Sequence, residues 1–176
     1  MPLRRYIMVI ALFAIFTPLT YGQPSTTVDP NTKAKVQELI EKLANKDSDT
    51  RRSNILKLGQ LGPAAREAIP ALIEILKAED RHLVVPAART LGKIGAAAVP
   101  PLVKGLKDKD GTFSAACSMA LAQIGPDAKG AVPALIAVLK DKDVKYRSIY
   151  PLTLESIGPS AKEAVPALIE GLKDSD

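Results

Sequence analysis

The chain has 176 residues, a net charge of +5, 47% apolar residues and 4% aromatic, with no Trp. That composition suits one helical unit packed from Ala, Leu, Ile and Val. The single Cys excludes an intrachain disulfide, and the small positive excess, spread through turns such as Lys140-Asp141-Lys142-Asp143, says little about partners.

Arg4 and Arg5 precede an apolar run from Tyr6 to Phe16, and Thr20 and Gly22 supply small residues just before Gln23. The order of charge, apolar run and small residues predicts a secretory signal peptide over residues 1–22. The run is shorter than the ~20 residues of a spanning helix, and no Cys follows it to carry a lipid. A secreted or periplasmic chain of about +3, with no stable membrane anchor after cleavage, is the expectation. Residues 23–32 hold Pro, Ser, Thr and Asp without periodicity and read as a flexible lead-in to an array over 33–176.

Val36-Gln37-Glu38-Leu39-Ile40 opens a string that returns as Ile69-Pro70-Ala71-Leu72-Ile73 and Val99-Pro100-Pro101-Leu102-Val103. It returns twice more, as Val132-Pro133-Ala134-Leu135-Ile136 and Val165-Pro166-Ala167-Leu168-Ile169. The starts fall 33, 30, 33 and 33 residues apart, a period that marks a solenoid. Each Pro suits the first position of a helix, and the Val or Ile before it is expected to leave the α region and close the preceding linker. Leu72, Ile73 and Leu76 make one face of such a helix, and Leu135, Ile136 and Leu139 repeat it.

Asp47, Asp80, Asp110, Asp143 and Asp176 recur after the first helices, where a carboxylate caps the N–H groups of a second helix. Gly62, Gly95, Gly125 and Gly158 end those second helices in the left-handed conformation, and Pro63, Pro126 and Pro159 block continuation. The predicted fold is an all-α solenoid of four stacked helical hairpins plus a terminal half hairpin. Pro86 falls in the first turns of its helix and is harmless there. Pro151, aligned with Ala88, should remove a hydrogen bond to the Arg147 carbonyl and kink the fourth second helix. Thr50, Asn54 and Lys57 make the first repeat polar, as an end cap requires. The last stripe, Leu168, Ile169 and Leu172, is followed by no second helix up to Asp176; either the array continues beyond Asp176, or this edge is expected to self-associate or meet a partner.

The run from Asp80 through Leu91-Gly92-Lys93-Ile94-Gly95, the run Ala120-Leu121-Ala122-Gln123-Ile124-Gly125, and the linkers Gly125–Pro133 and Gly158–Pro166 resemble HEAT repeats. The likeness is to the short repeats of phycobilisome-lyase-like HEAT proteins and spans Lys33 to Asp176. It implies a stacked-hairpin fold and leaves the activity open. Such repeats carry an Arg four residues after the Asp. Arg51 and Arg147 fit, whereas Val84 and Ser114 do not, so the shared polar ladder should break in the middle.

Metal catalysis has almost no raw material, whereas composition leaves a Ser–His–Asp arrangement open. His82 and Cys117 are the only His and Cys, and zinc sites use three or four such ligands. His82 reads as a first-turn surface residue and Cys117 as a small buried one. No phosphate loop or nucleophile elbow is present, and Glu67 and Glu163 lie in linkers as solvated charges. No catalytic residue, metal or cofactor is assigned. A bilin-lyase accessory role, which the resemblance suggests, and nucleic-acid binding by a basic groove are the alternatives to a scaffold; interleaved acids count against the second.

The second helices should bury the stripe Leu83, Ala87, Leu91 and Ile94. The opposite side then aligns Arg52 and Leu56, Val85 and Arg89, Ala115 and Met119, and Ser148 and Leu152, an inner ridge of apolar residues mixed with Arg. Such a ridge fits a protein or peptide partner, and a non-enzymatic interaction scaffold is the expected function. Intact-mass measurement of exported protein checks the leader: the chain should begin at Gln23, and a mass retaining residues 1–22 sinks the signal-peptide reading.

Overall fold

The computed structural model describes residues 28–171 apart from 79 and 142; the leader, Leu172 and Asp176 lie outside that set. Nine α-helices and no strand occur among the described residues. They are α1 (Pro30–Glu41), α2 (Ser48–Leu61), α3 (Ile69–Lys77), α4 (Arg81–Ile94), α5 (Val99–Gly105), α6 (Gly111–Ile124), α7 (Val132–Lys140), α8 (Tyr150–Ile157) and α9 (Val165–Gly171). They pair as α1–α2, α3–α4, α5–α6 and α7–α8, with α9 as the half hairpin, so the predicted solenoid is observed. The first helix starts at Pro30, inside the expected lead-in, because Asp29 accepts hydrogen bonds from the backbone N–H groups of Asn31 and Thr32.

The caps follow the sequence at three hairpins. Asp47 accepts from the Thr50 N–H at 2.7 Å, Asp80 from His82 at 3.2 Å and Asp110 from Thr112 at 2.9 Å. The Thr50 side chain and N–H hold the Asp47 carboxyl below its ordinary value. Asp143 does not cap. The fourth second helix begins only at Tyr150, with Pro151 in its first turn. The expected kink is therefore a truncation. The ring of Pro151 and its missing N–H suit a helix start, and the preceding stretch forms a 3₁₀ turn, Arg147–Ile149, entered through Tyr146 at φ 58°. Pro86 lies inside α4, which runs through it unbroken.

The linkers hold another correction. Ile69, Val99, Val132 and Val165 precede Pro yet have φ between −52° and −59° and ψ between −47° and −50°, all helical. Each linker is itself a 3₁₀ turn feeding straight into the next first helix, and that continuity outweighs the pre-proline preference. The stop glycines have positive φ as expected, 55° to 85°, but ψ of −132° to −147°. This mirror image of extended backbone belongs almost solely to Gly, more strictly than the left-handed helical region.

Two kinds of packing build the array. The second helices α2, α4, α6 and α8 stack directly on one another, whereas α1, α5 and α7 each pack on the linker that leads into the next first helix. The second helices form the more closely packed row. Small residues permit the approach: a Cβ on Gly59 would lie 2.9 Å from the Thr90 hydroxyl, and one on Gly92 would lie 2.5 Å from the Gln123 Cβ and 3.1 Å from its carbonyl. Leu58, Leu91 and Leu121 fill the centre with no exposed surface, each worth ~2 kcal/mol of burial. The 30-residue spacing comes from the linker: counted from the stop glycine, residues 95–98 are four where Gly62–Ala68, Gly125–Ala131 and Gly158–Ala164 are seven.

Buried hydroxyls cross the stack. Thr90 donates to the Ile55 carbonyl at 3.0 Å, and Ser118 and Thr153 pair at 2.7 Å. Ser114, where the ladder should break, bonds the Leu106 carbonyl at 2.9 Å and the fully buried Tyr150 hydroxyl at 3.0 Å. At the first junction Arg51 stands 3.7 Å from Asp80, which also accepts from Ser48. Of the polar first-repeat residues, Lys57 is exposed and Thr50 half-buried, but Asn54 is buried with its Nδ2 unpaired.

Two glycine variants separate torsion from crowding. A Cβ on Gly95 meets nothing within 4 Å, so Gly95→Ala should cost about 1–3 kcal/mol through φ alone. Gly92→Ala, which must part α4 from α6, should cost about 1–3 kcal/mol through overpacking. Urea denaturation measures both, and an unchanged midpoint in either contradicts the cause given for it.

Candidate functional site

The second helices bury one side in the stack: Leu83, Ala87, Leu91 and Ile94 are all buried, as the stripe predicts. The side turned away from that core carries the ridge. Large apolar side chains stand exposed there: Leu56 at 44%, Val85 at 43%, Met119 at 40% and Leu152 at 62%. Arg52 and Arg89 are exposed beside them. Leu56, Arg89, Met119 and Leu152 hold the same register in successive repeats, so direct helix stacking makes them neighbours along one row. Arg52, Val85 and Ala115 form a second row one turn earlier, with Ala115 half-buried. Ser148 is exposed but sits in the 3₁₀ turn before α8, not on a second helix. The truncation of the fourth helix thus shortens that row.

The other large exposed apolar residues among those described are Tyr146, Val165 and Ile169. Val165 and Ile169 are 49% and 52% exposed, while their equivalents Ile69 and Ile73 are 8% and 9% exposed. Leu168 is partly buried against the core, and Leu172 lies outside the described residues.

Three hollows mark irregularities of the array. One of about 570 Å³ lies on the outer side, lined by Arg66, Ile69, Pro70, Ile73 and Pro101, beside the shortened linker. A second, about 450 Å³, opens where the first turns of a full α8 would stand, between Lys107, Asp108, Ser114, Asp141 and Lys145. The third, about 300 Å³, separates the first two hairpins at Ile40, Leu43, Arg51 and Glu74. Among the described residues no group of three or more His, Cys, Asp and Glu is placed to hold a metal ion, and no helix is long and apolar enough to cross a membrane.

His82 is exposed in the first turn of α4. Cys117 has no exposed surface and packs on α5, where a Cβ on Gly105 would fall 2.3 Å from its Sγ. Gly105 is the signal the sequence carried for this fit: a small residue in the first helix makes room for sulfur from the second.

The geometry is that of a repeated helical hairpin stacked in register, and the model of the HEAT-repeat family matches residues 36–122 and again 99–176. The chain belongs to the HEAT-repeat family. Three crystal structures of engineered proteins resemble this HEAT array. The first is 23% identical over 80% of this chain and 73% of its own, with a TM-score of 0.45. The second is 24% identical over 77% and 69%, at 0.47. The third is 23% identical over 78% and 41%, at 0.46. No curated protein matches the chain.

Within the HEAT stack, burial pushes the Cys117 thiol from 9.0 up to about 12, with Asp108 adding to the rise. A raised thiol keeps its full contribution to stability below the unfolded value and loses it as pH climbs from there towards the folded value. Stability should therefore fall above pH 9 and more steeply in the wild type than in Cys117→Ala. Denaturation midpoints from pH 8 to 10.5 check this; parallel curves contradict it.

Proposed function

We propose that this HEAT array is a non-catalytic interaction scaffold of an exported compartment, and that a protein or peptide partner lies along its inner ridge. One observation carries the reading. Four of the large exposed apolar side chains of the described residues, Leu56, Val85, Met119 and Leu152, fall on the stacked second helices, three of them in a single row. Lone exposed apolar residues are ordinary, but here every stacked second helix exposes one on the same side, Val85 standing a turn before Arg89 on α4, and such repeated exposure seldom lacks a use. Arg52 and Arg89 border it, and Arg is a frequent anchor at interfaces. The leader-like residues 4–22 support the compartment.

The test is the double variant Leu56→Glu with Met119→Glu. Both residues are already exposed, so the fold should hold, with unchanged helicity. Affinity for a partner captured from the native exported fraction should drop by about 2 kcal/mol or more, roughly 30-fold. Unchanged affinity moves the site elsewhere. Sedimentation of the same samples separates this from self-association: a dimer that persists in the double variant and dissociates with Ile169→Glu places the sticky surface on α9.

A further inference from the structure

The charge of the molecule is not spread evenly over its helices. The four second helices carry six basic residues, Arg51, Arg52, Lys57, Arg81, Arg89 and Lys93, against two acids, Asp49 and Glu155. Outside them, the described residues hold fourteen basic and fourteen acidic side chains. The whole positive excess of the described array therefore sits on the inner row. All six of those cations lie on α2 and α4; α6 has no charged residue, and α8 has only Glu155. Arg51 is turned to Asp80 in the stack, and the other five are exposed.

The row of Leu56, Arg89, Met119 and Leu152 runs the full length of this surface, apolar except on α4, where Val85 stands one turn earlier. Leu56 lies among the cations, whereas Met119 and Leu152 lie beyond them, on helices of neutral or negative character. The ridge is thus a graded surface, basic and apolar over the first two hairpins and plainly apolar over the last two. Helices packed 8–10 Å apart make four of them span about 25–30 Å, the length of a helix of about 18 residues at 1.5 Å per residue.

We propose that the ridge takes an acidic amphipathic peptide segment of a protein partner, with its Asp and Glu residues over α2 and α4 and its apolar residues over Met119 and Leu152. This rests on the ridge being the binding face. Charge complementarity selects the occupant: Arg52, Arg89 and Lys93 steer and pair carboxylates, while the exposed apolar residues supply the buried centre. A nucleic acid fits less well, because a phosphate chain needs cations all along its path and these stop at α4.

The experiment selects an 18-residue random peptide display library on the full chain. Affinities of the best peptides are then read by fluorescence anisotropy on the wild type, on Arg52→Glu with Arg89→Glu, and on Leu56→Glu with Met119→Glu. Enriched peptides should carry more Asp and Glu than Lys and Arg. Their binding should weaken at least tenfold on the arginine variant and at least tenfold from 50 to 500 mM salt. Peptides of neutral or basic composition, no enrichment, or equal binding to the arginine variant overturn the acidic partner. If binding fails on the leucine–methionine variant but holds on the arginine variant, the ridge stands as the site and only the acidic specificity falls; if it holds on both, the ridge falls as well. Tighter binding of a 20-nucleotide single strand, or of phosphatidylglycerol vesicles, than of any selected peptide also overturns the proposal.

Discussion

The close stacking of α2, α4, α6 and α8 is the contact on which the rest of the molecule depends. A hairpin of this length cannot bury its apolar stripe alone, so each second helix uses its neighbours as the other half of its core. The approach is set by what stands at the contact: Gly59 against Thr90, and Gly92 against the backbone of Gln123. Side chains of ordinary size there would separate the helices and open the centre around Leu58, Leu91 and Leu121. The same contact fixes the register between repeats, and through the register it lines up residues that are about thirty positions apart in the chain. The ridge is a consequence of the core.

Buried hydroxyls make that register specific. Thr90 on the Ile55 carbonyl, Ser118 on Thr153 and Ser114 on Tyr150 are each satisfied in one alignment of the helices. A slip of one residue would leave them without partners, at a cost of about 1–3 kcal/mol apiece. The polar ladder thus includes small neutral groups alongside the charged pair of Arg51 and Asp80. Neutral hydroxyls suit a closely packed contact, because they need little room and their burial is repaid by a single hydrogen bond.

The two departures from regularity are local. The shortened linker Ala96–Ala98 leads into α5, whose Pro101 lines a hollow beside Ile69 of α3. The late start of α8 opens a hollow near Asp141 and leaves a smaller contact with α6 than the other second helices share. Tyr150 stands in the first turn of the shortened helix and reaches Ser114 with its hydroxyl. Tyr150 thus keeps a buried contact with α6 beside that hollow.

Periodicity, prolines and glycines were enough to determine the hairpins, their number and the buried stripe, because these depend on backbone chemistry local to each repeat. Asp47, Asp80 and Asp110 were legible as caps for the same reason. The ridge residues were legible as positions opposite that stripe. What Pro151 would do was not, since a proline inside a helical pattern can kink a helix or begin one, and the choice turned on Tyr150 finding Ser114 across the stack. Nor did local rules foresee Ile69, Val99, Val132 and Val165 in helical backbone, where a continuous 3₁₀ linker overrode the preference before proline. The concentration of positive charge on one row became visible only with the second helices brought side by side, because cations on separate helices become one surface only when packing aligns them.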